Sequence, residues 1–430
     1  MLSGSLYKKK KLVFYGQLAM TITAILVIVF RDYTLFTSPR FWAEEGGFWF
    51  SHAFSHDWFN TVFSAFFGYY PLFPIISTLL ASRIVPLEYA PLITTIMAFC
   101  IQCTALMIVV WDKSILWDTP FKKVLMTMII LFAPSSAEIW LNTNGSQYYL
   151  TLISVLILLG DNAEGHLFKR YYYRILIAVA GLTGVLSCLL TPLFMIKAWQ
   201  SRRREAFVHT GILVFCSVLQ ITIVWLWFNP DRSGLPDLPT AGIIIWVRNF
   251  LYPFSASLSA KCSRCILEIQ NLWGKNIFSM VGYGVLVIEV VLLWFFSRRN
   301  AKDKKILLLG SYLLLSFFST YFAIAGPGNR MLLDTSVGNR YYYVTNVMIL
   351  AMIFFSTDWQ SKMIKERICS GFLTVLLILG LLNGIYVFKN ERLKKDSWPA
   401  WREELSIWRS NPSYRPKIWP TGWRVILERK

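Results

Sequence analysis

The sequence predicts an all-α, polytopic helical membrane protein, and three observations carry that expectation. Hydrophobic residues fill 55% of the 430 positions, with a mean hydropathy of +0.49. Apolar runs recur from one end to the other, and charges are confined to the short stretches between them, as in helices that cross a bilayer. Aromatic residues make up 16% of the chain, 18 of them Trp, and many stand at the ends of those runs, where amphipathic rings meet the membrane–water boundary. Counting short and broken segments, about 10–12 membrane-embedded helices are expected.

Lys8–Lys11 precede the first apolar run, 12–30, and place the N-terminus inside. The run is too long for a signal-peptide core and ends in Arg31-Asp32 instead of a small-residue cleavage site, so it reads as a retained span. It delivers an outer loop, 31–90, that carries the stretch Arg40–Phe50, RFWAEEGGFWF. Residues 72–85 are apolar but short and open with two prolines, which suggests a re-entrant or interfacial segment. Spans follow at 92–110, 124–141 and 148–160, separated by the basic residues Lys113, Lys122 and Lys123 inside and by the polar turn 142–147 outside. Segment 175–196 must begin and end inside if Arg202–Arg204 are cytoplasmic; with Gly181, Gly184 and Pro192 in its middle, it reads as two broken half-length helices. A span at 207–228 leads to a turn-rich outer loop, 229–276. Further spans are read at 278–296, 306–325, 343–356 and 369–388, with Arg298–Lys305 and Lys362–Arg367 inside. Residues 1–388 form one membrane domain on this reading. The Trp-rich tail 389–430 is placed outside as an interfacial cap, although Lys389, Arg392, Lys394 and Lys395 pull the other way.

The net charge of +19 is spread through loops that face anionic lipid, so nucleic acid is not an expected partner; the bilayer is. Of seven Cys, five lie in or beside apolar runs as small hydrophobes. Cys262 and Cys265 form a lone CxxC, too few ligands for a structural zinc site, and open to a local disulfide or to no role. There is no GxxxxGKS, no Rossmann glycine fingerprint and no nucleophile elbow.

The polar residues that a merely packed bundle would not need collect on the outer side. Glu44 and Glu45 sit between Phe41-Trp42 and Phe48–Phe50, with Gly46-Gly47 allowing close backbone approach. Carboxylates among such rings gain proton affinity by desolvation, which suits a general base; solvated loop acids are the plainer alternative. Arg330 and Arg340 stand in two GNR tripeptides, Gly328–Arg330 and Gly338–Arg340. A guanidinium matches phosphate bidentately, and Arg340, at a span start before Tyr341–Tyr343, is the better candidate, against a snorkelling anchor. Tyr69, Tyr70, Trp140, Asn144, Gln147, Asn339 and Tyr341 are candidates for holding a hydroxyl-rich substrate, against ordinary turn chemistry at Asn144-Gly145. His52 and His56 are spaced to share a helix face with an acid nearby, but HExxH is missing and loop histidines are the simpler reading. A divalent metal is left open. Glu138 and Glu289 stand in or near spans, Glu289 without a visible partner.

Taken together, Phe41-Trp-Ala-Glu-Glu-Gly46, Gly68-Tyr-Tyr-Pro71, Trp140 with Asn144-Gly-Ser-Gln147, and Gly338-Asn-Arg-Tyr-Tyr342 resemble the bacterial polytopic GT-C glycosyltransferases that carry a W-x-E-(D/E)-G signature after the first span. The pieces are short but spread over most of the chain in the expected order. The resemblance implies a polyprenyl-phosphate sugar as donor, a cell-surface glycan or glycolipid as acceptor, and a multi-pass protein of the inner (plasma) membrane working on the extracytoplasmic face. It maps the acidic base or metal contact onto Glu44 and Glu45 and the donor-phosphate cation onto Arg340. Many members carry Asp where this chain has Glu45, which leaves open which acid is the base. A polysaccharide polymerase or ligase, and a flippase or transporter of lipid-linked oligosaccharide, are the competing expectations; the lack of an internal repeat and the crowding of polar groups on one face weigh against transport.

Overall fold

The computed structural model describes residues 2–66, 68–112, 114–160, 167–226, 236–298, 303–321, 331–335, 337–358, 362–391 and 399–428. The chain is an all-α polytopic membrane protein. Among the described residues, five helices are long and apolar enough to cross a membrane: Lys11–Arg31, Leu87–Trp111, Arg204–Leu226, Ala256–Phe296 and Ile364–Asn390. A sixth is added if the bent pair Leu167–Leu182 and Val185–Ser201 is one span. The chain divides into two compact units, one of Met1–Thr127, Ile139–Phe228 and Arg392–Lys430, the other of Met128–Glu138 and Asn229–Glu391.

The first unit is built around the helix Ser146–Leu159, whose residues are buried almost throughout. A 14-residue helix that is apolar on every side can only be a core helix. Ala90–Trp111 and Leu167–Leu182 pack on it, and Arg204–Leu226 packs on Leu167–Leu182. Leu72–Arg83, read from sequence as re-entrant or interfacial, is a 12-residue helix that buries Phe73, Ile75, Ser77, Thr78 and Ala81 in the same unit. The 175–196 segment bends by 115°, and the break lies at Gly184, whose φ of +150° suits glycine and few others. Pro192 does not break a helix; it sits in the first turn of Thr191–Ser201, where a missing N–H costs nothing.

The span expected at 124–141 ends early, at Phe132. Pro134 and Ser135, the latter at φ +77°, stop the helix, and 133–145 continues as irregular chain with a 3-10 turn at Ala137–Ile139 and a second turn at 143–145. Two buried or half-buried lysines close helix ends. Lys123 Nζ donates to the carbonyls of Val110 (2.6 Å) and Asp112 (3.0 Å), and Lys197 Nζ to those of Ile157, Leu158 and Gly160. A cation at a helix C-terminus satisfies orphan carbonyls and complements the dipole.

In the second unit the central helix is Tyr343–Ser356, also 14 residues and buried along its whole length. Asp303–Tyr321 and Ile364–Asn390 pack on it, and Tyr343 Oη donates to Ile130 O at 2.7 Å. Residues 229–276, read from sequence as an outer loop, are largely helical from Leu238 onward. Leu238–Ile245 runs into a π-helical turn, Trp246–Leu251, and Ala256–Arg298 follows with a kink at Gly274. Most of the turn-rich stretch, 229–235, lies outside the described residues; Asp237 caps the first of these helices, and Ala241, Ile243, Ile244 and Val247 behind it are buried core. Cys262 and Cys265 therefore sit on a helix, and both thiols are free, not joined in the disulfide left open above.

The C-terminal segment 399–428 belongs to the first unit. Its helix Trp401–Ser410 and the following strand-like chain pack against the acidic stretch. Phe41, Phe50, Trp401, Ile418 and Val425 share one apolar cluster. The tail thus packs directly on the stretch that carries Glu44 and Glu45. Trp398 and the basic residues Arg392, Lys394 and Lys395 lie outside the described residues.

Candidate functional site

The acidic stretch starts from an energetically expensive corner. Ala43 has φ +45°, a left-handed conformation that costs a non-glycine residue free energy and must be held by its surroundings. Here the tail holds it: Ala43 N–H donates to Trp419 O at 2.5 Å, and Trp42 pairs with Trp419 in a single bridge. Behind the corner, the π-helical turn Glu45–Phe50 packs so tightly that a Cβ on Gly46 would stand 2.6 Å from Ile418 Cδ1 and 2.7 Å from Phe41 Cβ. The glycine pair read from sequence as room for a ligand is, at Gly46, room for the tail.

The corner separates two carboxylates with different surroundings. Glu45 is wholly buried, 0% exposed. Its Oε1 accepts the Thr143 N–H (2.8 Å) and hydroxyl (2.6 Å), and its Oε2 accepts the Trp42 N–H (3.0 Å). Burial pushes this carboxyl up from its ordinary range, against the opposing pull of the Arg40 charge and of the Thr143 and Trp42 donors. Arg40 is buried too, and burial brings its guanidinium down to about 10, against the attraction of Glu45 and Asp32. It donates to Trp140 O (3.2 Å) and Leu141 O (3.4 Å), and it lies over the rings of Trp42 and Trp419. Glu45 and Arg40 therefore pin the 140–143 chain from two directions.

Glu44 is half-buried. Its Oε2 accepts the Asn144 amide at 2.6 Å, and its Oε1 takes no hydrogen bond among the described residues. The turn that supplies Asn144 is closed by Asn142, whose Oδ1 accepts the Gly145 N–H at 2.6 Å. Gln147 and Tyr69, both half-buried, flank the backbone of Gly184 at the break of the bent helix pair. Glu44, Asn144, Gln147 and Tyr69 are thus half-buried polar groups of the first unit. Tyr70 is tied down instead: its hydroxyl donates to Val62 O at 2.6 Å, and Gln220 bonds both its N–H and its carbonyl. Trp140 is 1% exposed, under the guanidinium of Arg31 at 4.4 Å, and is part of the core beneath the turn. His56 lies just past the helix Ser51–Ser55 in extended conformation, yet its ring stacks on that of His52 at 4.1 Å, and His52 Nε2 bonds Ser64 Oγ at 2.9 Å. Among the described residues no group of three or more His, Cys, Asp or Glu side chains is arranged to hold a metal.

In the second unit, Arg340 is a partly exposed cation. It lies over the Tyr341 ring, bonds the Tyr341 hydroxyl at 3.1 Å, and has Glu138 Oε2 at 3.9 Å. Asn339 is engaged: its Oδ1 accepts Arg248 Nη1 at 2.6 Å, and its amide reaches Tyr252 Oη at 3.4 Å. Arg330, with the whole first GNR tripeptide, lies outside the described residues. Glu289 is buried inside the bundle, 4% exposed.

Three residues that the sequence reading passed over organise these sites: Arg40, Thr143 and Arg248. Arg248 carried a signal, a lone charge in the apolar run 241–250, which in a membrane protein marks a residue with a specific partner. Arg40 and Thr143 carried none, since their partners lie about a hundred positions away.

Compared with protein-family models, the chain matches none. Compared with curated proteins, it matches none either.

Proposed function

We propose that the protein is a membrane glycosyltransferase of GT-C type, which moves a sugar from a polyprenyl-phosphate donor to a glycan or glycolipid acceptor on the extracytoplasmic face of a bacterial plasma membrane. The observation that carries this reading is the contrast between the two adjacent acids. Glu45 is enclosed and accepts three hydrogen bonds, while Glu44 stands on a braced corner with one oxygen held by Asn144 and the other without a hydrogen bond among the described residues. A general base must be fixed in direction yet open to its substrate, and Glu44 fits that description.

In the reaction, Glu44 takes the proton of the acceptor hydroxyl as its oxygen attacks the anomeric carbon. The bond from that carbon to the phosphate oxygen breaks, and the electron pair leaves with the polyprenyl phosphate. Asn144 orients the base; Gln147 and Tyr69 supply further polar contacts for a hydroxyl-rich substrate. Within the second unit, Arg340, with Glu138 Oε2 at 3.9 Å, is assigned to the phosphate of a lipid-linked donor, which a guanidinium matches bidentately. Glu44 belongs to the first unit and Arg340 to the second, so each carries its own test.

The experiment follows labelled sugar from polyprenyl phosphate into product, in membranes holding wild type, Glu44→Gln, Glu45→Gln or Arg340→Ala. Glu44→Gln should lower turnover by about 10²–10⁴-fold at unchanged protein level, and Arg340→Ala should raise the donor concentration needed. Undiminished transfer in Glu44→Gln sinks the assignment. Lipid-linked oligosaccharide crossing the bilayer with no new glycosidic bond replaces the enzyme by a transporter.

A further inference from the structure

Arg248 has no place in that reaction scheme, yet its side chain is bonded through all three of its nitrogens. It is 0% exposed and stands in the π-helical turn Trp246–Leu251, an interruption of helical geometry of the kind that recurs at functional positions. A guanidinium has five N–H donors, and here each has an acceptor. Nε donates to Leu332 O at 2.7 Å; Nη1 donates to Asn339 Oδ1 at 2.6 Å and Thr335 O at 3.4 Å; Nη2 donates to Val337 O at 2.6 Å and to Asp334 O. All five acceptors belong to the short connection that ends in Gly338-Asn339-Arg340. The Tyr342 ring closes the remaining side, 5.4 Å from the guanidinium carbon.

Burying an isolated charge is costly unless its donors are met, and the described residues of this connection have little regular structure, one turn at 331–333 and one at Asn339–Tyr342. Four backbone carbonyls turned toward one cation fix the path of the chain between them. The fifth acceptor is the side chain immediately before Arg340.

We propose that Arg248 is a positioning residue: it sets the course of the 331–340 connection and thereby aims Arg340 at the phosphate of a lipid-linked donor. The donor assignment rests on the glycosyl-transfer reading above. Arg248→Lys keeps the charge but offers three donors on one nitrogen in place of a planar fork of five, so it cannot reach all five acceptors.

Wild type, Arg248→Lys, Asn339→Ala and Arg340→Ala are compared in nanodiscs by three measurements. Amide hydrogen exchange over residues 331–342 should quicken in Arg248→Lys. Native mass spectrometry with nanodiscs doped with a polyprenyl phosphate should show weaker retention of that lipid, close to the Arg340→Ala level. Turnover should show KM for the donor raised about tenfold with kcat retained, a split that a residue needed for folding alone does not produce. Asn339→Ala, which removes one acceptor of five, should move each quantity the same way by less. Unchanged exchange, or polyprenyl phosphate held as tightly by Arg248→Lys as by wild type, overturns the inference, as does wild type that retains none of the lipid. Wild type that retains the lipid without turning over sugar overturns the enzymatic reading instead, and leaves Arg248 to be judged by exchange and retention.

Discussion

The backbone N–H and the hydroxyl of Thr143 both reach Glu45 Oε1, at 2.8 and 2.6 Å, across 98 positions of sequence. One carboxylate oxygen thereby fastens the acidic corner to the turn that presents Asn144. Thr143→Val preserves side-chain volume and the N–H while removing the hydroxyl from a buried carboxyl acceptor. Its expected cost is about 1.5–3 kcal/mol, read as a lowered unfolding midpoint in detergent. A change within error would mean that Glu45 is not held by this pair.

The pH dependence of that fastening has a defined sign. Burial raises the Glu45 carboxyl in the folded protein above its value of 4.5 in the unfolded chain. The folded state then binds the proton more tightly than the unfolded state. Its contribution to stability is full below 4.5 and is lost as pH rises through the folded value. The midpoint of wild type minus that of Glu45→Gln should therefore be most favourable to wild type in acid and should fall toward neutral pH. A difference that grows with pH would show that Arg40 and the three hydrogen bonds outweigh burial.

Gly46 tests the tail. A methyl group there would meet Ile418 Cδ1 at 2.6 Å and Phe41 Cβ at 2.7 Å, closer than carbon atoms pack. Gly46→Ala should cost about 1–3 kcal/mol through overpacking, and limited proteolysis should cut 399–428 faster than in wild type. Gly16, whose added Cβ would meet nothing within 4 Å, is the control, and Gly16→Ala should leave both readings unchanged. Equal cleavage in the two variants would detach the tail from the corner.

The two units repeat one physical device with unrelated sequences. In each, a 14-residue buried helix starts directly behind a polar turn, Asn142–Gly145 before Ser146–Leu159 and Gly338–Tyr342 before Tyr343–Ser356. In each, a buried arginine from elsewhere in the unit gathers carbonyls of the adjoining chain: Arg40 takes those of Trp140 and Leu141, and Arg248 those of the 331–337 connection. Glycine and asparagine marked both turns in the sequence because they serve conformations that few other residues adopt. The arginines were not marked in the same way, since a carbonyl acceptor leaves no trace in residue identity.

By itself the sequence determined that this is an all-α membrane protein, and roughly where its longer helices run. Hydrophobicity over twenty-residue windows is a local property, and the bilayer reads it locally. It also marked Glu44 and Glu45, because paired acids among aromatic rings are chemically conspicuous. Local composition misled where a short apolar segment could be either loop or core: 241–251 and 72–83 became buried helices because other helices covered them. Only the tertiary structure separated the two acids, which are neighbours in sequence. The left-handed turn at Ala43 and the reach of Thr143 enclose Glu45 and leave Glu44 half-open. Desolvation and hydrogen bonding depend on what surrounds a carboxylate in space, and for these two residues the surroundings come from positions 140–144 and from the C-terminal segment.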